Sequence, residues 1–243
     1  MNGQLSDQYA QIFDTMLEAV GRSRPRIPTN ITAFWPMRGH RYTGGLLVIG
    51  RAVNGWMATW PLEHAATSAG RREIVASARA GSENEERCPM SWVVDQAGSR
   101  TAYNTNRSAF WRVIRRTCRD LVDGAHEFPE WSSHICWTNL FKVSPSKGRN
   151  PTGTLSSSQR EAAAELLAQE LFEWRPTRVL VLTGWSWFAP FAPRLGVHLR
   201  RTAALVDAVE AVGTSADCRW VIAKHPERKP EDAAVEQILR HFA

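Results

Sequence analysis

The sequence predicts a doubly wound α/β fold, and three observations carry that prediction. Four short segments, at 46–50, 134–140, 178–182 and 220–224, read as strands, and the first is a continuous apolar run of the kind buried on both faces. Helical patterns separate most of them, which is the alternation of a sheet flanked by helices. The composition is that of a folded globular chain: 43% hydrophobic, 22% charged, 16 Gly and 13 Pro in 243 residues. It excludes a disordered, collagen-like or coiled-coil protein, and the length suffices to bury a full core.

Residues 5–21 read as an amphipathic helix, with Tyr9, Ile12, Phe13, Met16, Leu17 and Val20 on one face and Gly21 as a C-cap. Residues 22–44 carry three Pro and little periodicity, so they read as a loop or arm. Together, 1–44 form an N-terminal helix and arm packed on or beside a domain spanning 45–243. Leu46–Gly50 is the first buried strand. Residues 63–100 read as an insertion, polar and helical at first and loose around Ser82–Arg87. Residues 108–122 form a helix with Phe110, Val113, Ile114, Cys118 and Leu121 on its apolar face.

The second strand is His134–Leu140. Ser158, with Glu161 three residues on, reads as a capping-box start of a helix that Pro176 stops after about Trp174. Arg178–Leu182 and Trp220–Lys224 are the third and fourth strands, and 231–241 is a final helix.

No apolar run approaches the ~20 residues of a membrane span, and the N-terminus lacks the pattern of a signal peptide. The four Cys are widely spaced and read as reduced thiols of a cytoplasmic protein rather than a disulfide framework. The net charge of +6 is unevenly distributed. Residues 100–119 hold six Arg and no acid; residues 131–160 hold four Lys or Arg and no acid. Arg112, Arg115, Arg116 and Arg119 make a stripe at helical spacing. Such clustering points to a polyanion partner, with a solvated helix face as the alternative. The 11 Trp against 3 Tyr are the compositional oddity. Trp111, Trp137, Trp174 and Trp220 lie on core elements, whereas Trp56, Trp185 and Trp187 follow strand ends.

In a doubly wound sheet, ligands bind at the carboxyl ends of the strands. Four segments follow the proposed strands: 50–56, 139–145, 183–185 and 225–230. None contains GxGxxG, GxxxxGK[ST] or GxSxG. Together they supply an Asn, a His, glycines, basic residues and aromatics.

These strand–loop pairs resemble the uracil-DNA glycosylase superfamily, above all its branches with Ala in the first motif. Ile49-Gly50-Arg51-Ala52-Val53-Asn54 matches the strand ending in a Gly-x-Ala-Pro-Gly loop. Thr138-Asn139-Leu140-Phe141-Lys142-Val143-Ser144-Pro145 matches a Thr-Asn-x-x-Lys-x-x-Pro segment, continuing into Gly148-Arg149-Asn150-Pro151. Pro176 to Gly184 matches a Pro-x-x-Val strand ending in Gly, and Ala223-Lys224-His225-Pro226-Glu227 matches the strand followed by His-Pro-Ser. The resemblance covers about residues 46–240. It implies a three-layer α/β/α sandwich around a central, mainly parallel four-stranded sheet, and a monofunctional enzyme that hydrolyses the N-glycosidic bond of a base in DNA.

The departures from the pattern are specific. Ala52 and Val53 stand where the family often has Pro or a water-positioning Asp or Asn, which leaves Asn54 for water. Two of the iron–sulfur Cys of some branches are missing ahead of the first motif, and Val143 and Ala163 stand at the other two places. No cluster, metal or cofactor is therefore expected. Glu227 replaces the family's Ser.

Breaking the bond between base and sugar leaves negative charge on the base and cationic character on the sugar. His225 can supply the donor at the departing base, or serve as a hydrogen-bonding turn residue. Asn139 can read the Watson–Crick edge of a base taken out of the stack, or cap a loop. Gly50 and Ala52 would line the base site. Tyr103 and Trp56 can wall the pocket or belong to the core. Asn54 can hold water, or serve as a turn residue before Gly55. The Arg stripe, Lys142, Lys147 and Arg149 are candidates for phosphate contact. Arg228 and Lys229 occupy the loop that the family pushes into the gap left by the base.

The expectation is a monomeric DNA glycosylase acting on a modified or damaged base. The altered first loop and the insertion point to a pocket for a base bulkier than uracil, such as a hypermodified pyrimidine of bacteriophage DNA, in antiviral defence. Two alternatives stand beside it: a non-catalytic DNA-binding protein of the same fold, motivated by Ala52, and an unrelated doubly wound hydrolase.

Overall fold

The computed structural model describes residues 5–23, 30–53, 55–56, 58–83, 86–100, 103–124, 130–148, 150–202 and 207–243. In chain order the elements are α1 (Asp7–Arg22), β1 (Asn30–Ala33), β2 (Met37–Arg38), β3 (Leu46–Gly50), β4 (Trp60–Pro61), α2 (Ser68–Ala80), α3 (Trp92–Asp95), α4 (Ala109–Leu121), β5 (Ile135–Asn139), β6 (Val143–Pro145), α5 (Gly153–Trp174), β7 (Arg178–Val181), α6 (Trp185–Phe188), β8 (His198–Arg201), β9 (Val209–Ser215), β10 (Cys218–Ala223) and α7 (Glu231–Phe242). This is a mixed α/β protein. Among the described residues, no helix is long and apolar enough to cross a membrane.

The four expected strands are present as β3, β5, β7 and β10, but they belong to a sheet of seven strands rather than four, in the order β2-β5-β3-β7-β10-β9-β8. β3 and β10 both pair parallel with β7, while β2–β5, β9–β10 and β8–β9 are antiparallel. The three additional strands escape an apolar-run criterion for a physical reason. β2 is two residues long, and β8 and β9 are partly exposed, so neither shows a continuous apolar stretch.

The chain forms two compact units that interleave in sequence. The first comprises Met1–Pro36, Gly50–Asn84 and Thr138–Trp174; the second comprises Met37–Ile49, Glu85–Trp137 and Arg175–Ala243.

In the first unit α1 packs on α5 and buries Tyr9, Phe13, Met16, Leu17 and Val20, each worth roughly 1.5–3 kcal/mol of apolar burial. Ser6 caps this helix through the Tyr9 N–H. Within the segment expected to be a loop or arm, β1 pairs with β4 and β6, and Trp35 packs edge-on against Tyr9 at 4.8 Å. α5 starts at Gly153, five residues before the expected cap. Ser158 lies inside the helix, where its hydroxyl donates back to the Leu155 carbonyl instead of capping.

In the second unit α4 packs against α7, and α7 against β10 and β9. Trp111 is the hub of an aromatic cluster. Its ring centroid lies 5.3 Å from Trp92, 5.0 Å from Trp137 and 6.5 Å from Trp131. Trp111, Trp137, Trp174 and Trp220 are all buried, as expected of core residues.

Candidate functional site

The first motif and the Asn139 motif meet in the first unit. The Leu140 N–H donates to the Gly50 carbonyl and the Phe141 N–H to the Arg51 carbonyl, both at 2.9 Å. The Ser144 hydroxyl donates to the Val53 carbonyl at 2.7 Å. These bonds lace residues 50–53 alongside 140–144 and set Gly50 and the half-buried Ala52 near Asn139. Asn139 is 2% exposed, and its Nδ2 has no hydrogen-bond partner among the described residues. A buried donor left unpaired costs about 1–3 kcal/mol, so this amide is available to a further acceptor.

Lys142 is removed from the set of phosphate contacts. Its side chain is fully buried and lies 2.6 Å from Glu170 Oε1. A DNA phosphate would have to enter the core to reach it. The Lys142 ammonium also donates to Thr138 Oγ1 at 2.6 Å and to the Asn139 carbonyl at 2.8 Å. The Tyr9 hydroxyl donates to Glu170 Oε1 at 2.7 Å. Burial pulls the Lys142 ammonium below its ordinary pKa, against the attraction of Glu170, and burial beside the same carboxylate pushes the Tyr9 phenol upward.

Trp56 is half-buried, sits edge-on to Phe34 at 5.9 Å and accepts a hydrogen bond from the Thr32 hydroxyl through its carbonyl. Lys147 is exposed. Asn54 and Arg149 lie outside the described residues.

The remaining expected site residues lie in the second unit. There β7 and β10 pair in parallel, and His225 follows the carboxyl end of β10. The half-buried His225 ring stacks on Phe110, with centroids 6.1 Å apart and planes at 16°. Its Nδ1 accepts from the Glu227 N–H at 3.3 Å. In the neutral imidazole this places the proton on Nε2, which makes Nε2 a donor. Arg228 has a left-handed backbone, φ 58°, and both Arg228 and Lys229 are exposed. Tyr103 is 54% exposed and so is not a core residue.

The basic stripe is partly neutralised. Arg112 Nε donates to Glu231 Oε2 at 2.9 Å, and Arg116 Nη1 lies 2.7 Å from Asp232. Both acids occupy the first turn of α7, where the helix dipole favours negative charge. The hydrogen bond from Arg112 holds the Glu231 carboxyl below the usual glutamate range. The acid-free window in the sequence is thus not acid-free in space. Arg115 is half-buried and Arg119 exposed.

A cleft of about 1020 Å³ in the same unit is lined by Arg119, Arg178, Asp217, Arg219 and Phe242. It sits at the amino ends of β7 and β10, whereas His225 follows the carboxyl end of β10. Chemistry, not size, favours the His225 end, because strand carboxyl ends are where α/β sheets bind ligands. Among the described residues no group of three or more His, Cys, Asp or Glu is arranged to hold a metal ion.

Three residues of these sites were not singled out from the sequence. Glu170 and Tyr9 stand behind Lys142, and Phe110 carries the His225 ring. Glu170 had a signal: it falls on the apolar stripe of α5 with Ala163, Leu166, Leu167 and Trp174, and a carboxylate there requires a buried partner. Phe110 had none, because its neighbour comes from more than a hundred residues away.

No model of a known protein family matches this chain, and no curated protein matches it.

Proposed function

We propose that the chain is a DNA glycosylase that flips a modified or damaged base out of the helix and hydrolyses its N-glycosidic bond. Bulky modified pyrimidines of bacteriophage DNA are the favoured substrates, with a role in antiviral defence. The observation that carries the reading is Asn139: a buried side-chain amide with an unused donor, laced beside Gly50 and Ala52 at the end of a strand. A base edge offers the acceptor that Nδ2 lacks. His225 Nε2–H is a donor of the kind that a departing base anion requires. Water adds to C1′, the base leaves with a proton, and an abasic site remains. Arg115, Arg119, Lys147, Arg228 and Lys229 are the described cations proposed for phosphate contact. The family resemblance adds a three-layer arrangement, the widely spaced Cys support a cytoplasmic setting, and the protein is expected to act as a monomer.

A second reading is supported by Ala52, which cannot activate water: a DNA-binding protein of the same fold without catalysis. One experiment separates the two. The protein is incubated with duplexes carrying uracil, damaged bases or bulky modified cytosines, and abasic sites are then cleaved with alkali. Strand scission on at least one duplex is expected, with a loss of about a hundredfold or more in His225→Ala. Folded protein that cleaves none of them refutes the enzyme, and salt-dependent binding without scission establishes the second reading.

A further inference from the structure

The Lys142 ammonium has three N–H donors, and each has an acceptor: Thr138 Oγ1 at 2.6 Å, the Asn139 carbonyl at 2.8 Å and Glu170 Oε1 at 2.6 Å. It is a filled tripod with no exposure. Two legs rest on the end of β5: one on Thr138 and one on Asn139, the residue whose side-chain amide is unsatisfied. The third rests on α5, and Tyr9 of α1 braces the same carboxylate oxygen at 2.7 Å. The strand after the site is held further along as well. Gln159 of α5 accepts from the Val143 N–H and donates to the Val143 carbonyl, and the Phe34 N–H donates to the Lys142 carbonyl.

We propose that Lys142, braced by Glu170 and Tyr9, is the positioning residue for Asn139: it clamps the Asn139 main chain so that the unpartnered amide holds one orientation for a base. Stability alone does not call for this network, because a buried ion pair is commonly replaced by apolar side chains of similar volume at no loss of stability. An apolar replacement cannot, however, donate to the Asn139 carbonyl. The network also gives α1 a function, since its first buried residue completes the brace. The inference rests on the glycosylase reading only for what Asn139 holds; the clamp itself is a statement about Asn139.

The test replaces the whole network with apolar groups of similar shape, in the full chain: Tyr9→Phe, Lys142→Met and Glu170→Leu together. Two readouts follow. The first is the Asn139 side-chain amide resonance, assigned by its loss in Asn139→Ala. The second is abasic-site release from duplexes carrying uracil or bulky modified cytosines, with kcat and KM separated. The expected result is a folded variant whose Asn139 amide signal is shifted or broadened. Its kcat falls by up to about a hundredfold, the cost of a misplacement near 1 Å. A folded variant with an unchanged Asn139 signal overturns the clamp. If neither native protein nor variant releases a base, the glycosylase reading fails, while the amide signal still decides the clamp. Should the triple variant not fold, Tyr9→Phe alone removes one brace and keeps the packing; it must shift the same signal by a smaller amount, and no shift overturns the proposal.

Discussion

Lys142 Nζ lies 2.6 Å from Glu170 Oε1, and both side chains are sealed from solvent. Two charges removed from water lose hydration worth several kcal/mol each, and only their mutual attraction and further hydrogen bonds compensate. Glu170 Oε2 has no hydrogen-bond partner among the described residues, so the compensation is concentrated on Oε1.

Removing one partner strands the other. Lys142→Met or Glu170→Gln alone should each destabilise the protein by about 3–5 kcal/mol. Urea unfolding would show this as a lower midpoint at an unchanged slope. A midpoint close to that of the native protein would mean that the remaining charge has found water.

Arg112 and Glu231 should give the protein a modest acid limb. The Glu231 carboxyl is held low in the folded state, whereas in the unfolded chain it titrates at about 4.3. The contribution is therefore complete above the unfolded value and is lost as pH falls through the folded one. Solvent reaches this pair, so its worth is about 1 kcal/mol or less. Unfolding free energies measured across acidic pH should fall less steeply in Glu231→Gln than in the native protein.

The thiols should differ in reactivity. Burial pushes the Cys118 thiol up to about 12, and Cys136 is fully buried; the attacking species in alkylation is the thiolate. Iodoacetamide at neutral pH should modify the partly exposed Cys88 in native protein and leave Cys118 intact, as read by peptide mass spectrometry. In urea all four should react. Fast labelling of native Cys118 would contradict its burial.

Phe110 should matter to the proposed base release through His225. Phe110→Ala removes the ring on which the imidazole stacks. Abasic-site release should fall about tenfold through kcat, with KM little changed, as expected when a positioning contact is lost. An unchanged kcat would separate the stack from function.

Sequence periodicity by itself determined α1, α4 and α7 and four adjacent strands of the larger sheet, β5, β3, β7 and β10. The apolar faces of α1, α4 and α7 lie at helical spacing, β3 is a continuous apolar run, and β5, β7 and β10 each hold at least three consecutive apolar residues. Such signals are local, since burial on one face or on both dictates the residues in that stretch. The start of α5 was not legible, because Ser158 and Glu161 mimic a cap within a helix that Gly153 opens. Nor were β2, β8 and β9, whose membership of the sheet comes from pairing with neighbours rather than from their own composition.

The sequence by itself singled out the candidate segments: the loop after β3, Asn139 and His225. Only the tertiary structure decided what each of their neighbours does. Lys142, expected at phosphate, is a buried tripod beneath Asn139. Arg112 and Arg116, expected to face a polyanion, are held by the first turn of α7. Burial and charge pairing depend on groups brought together from distant parts of the chain: Tyr9 and Glu170 are separated by 161 positions, Arg112 and Glu231 by 119. No window along the sequence contains both partners, so whether a cation serves the surface or the core is settled only when the chain closes on itself.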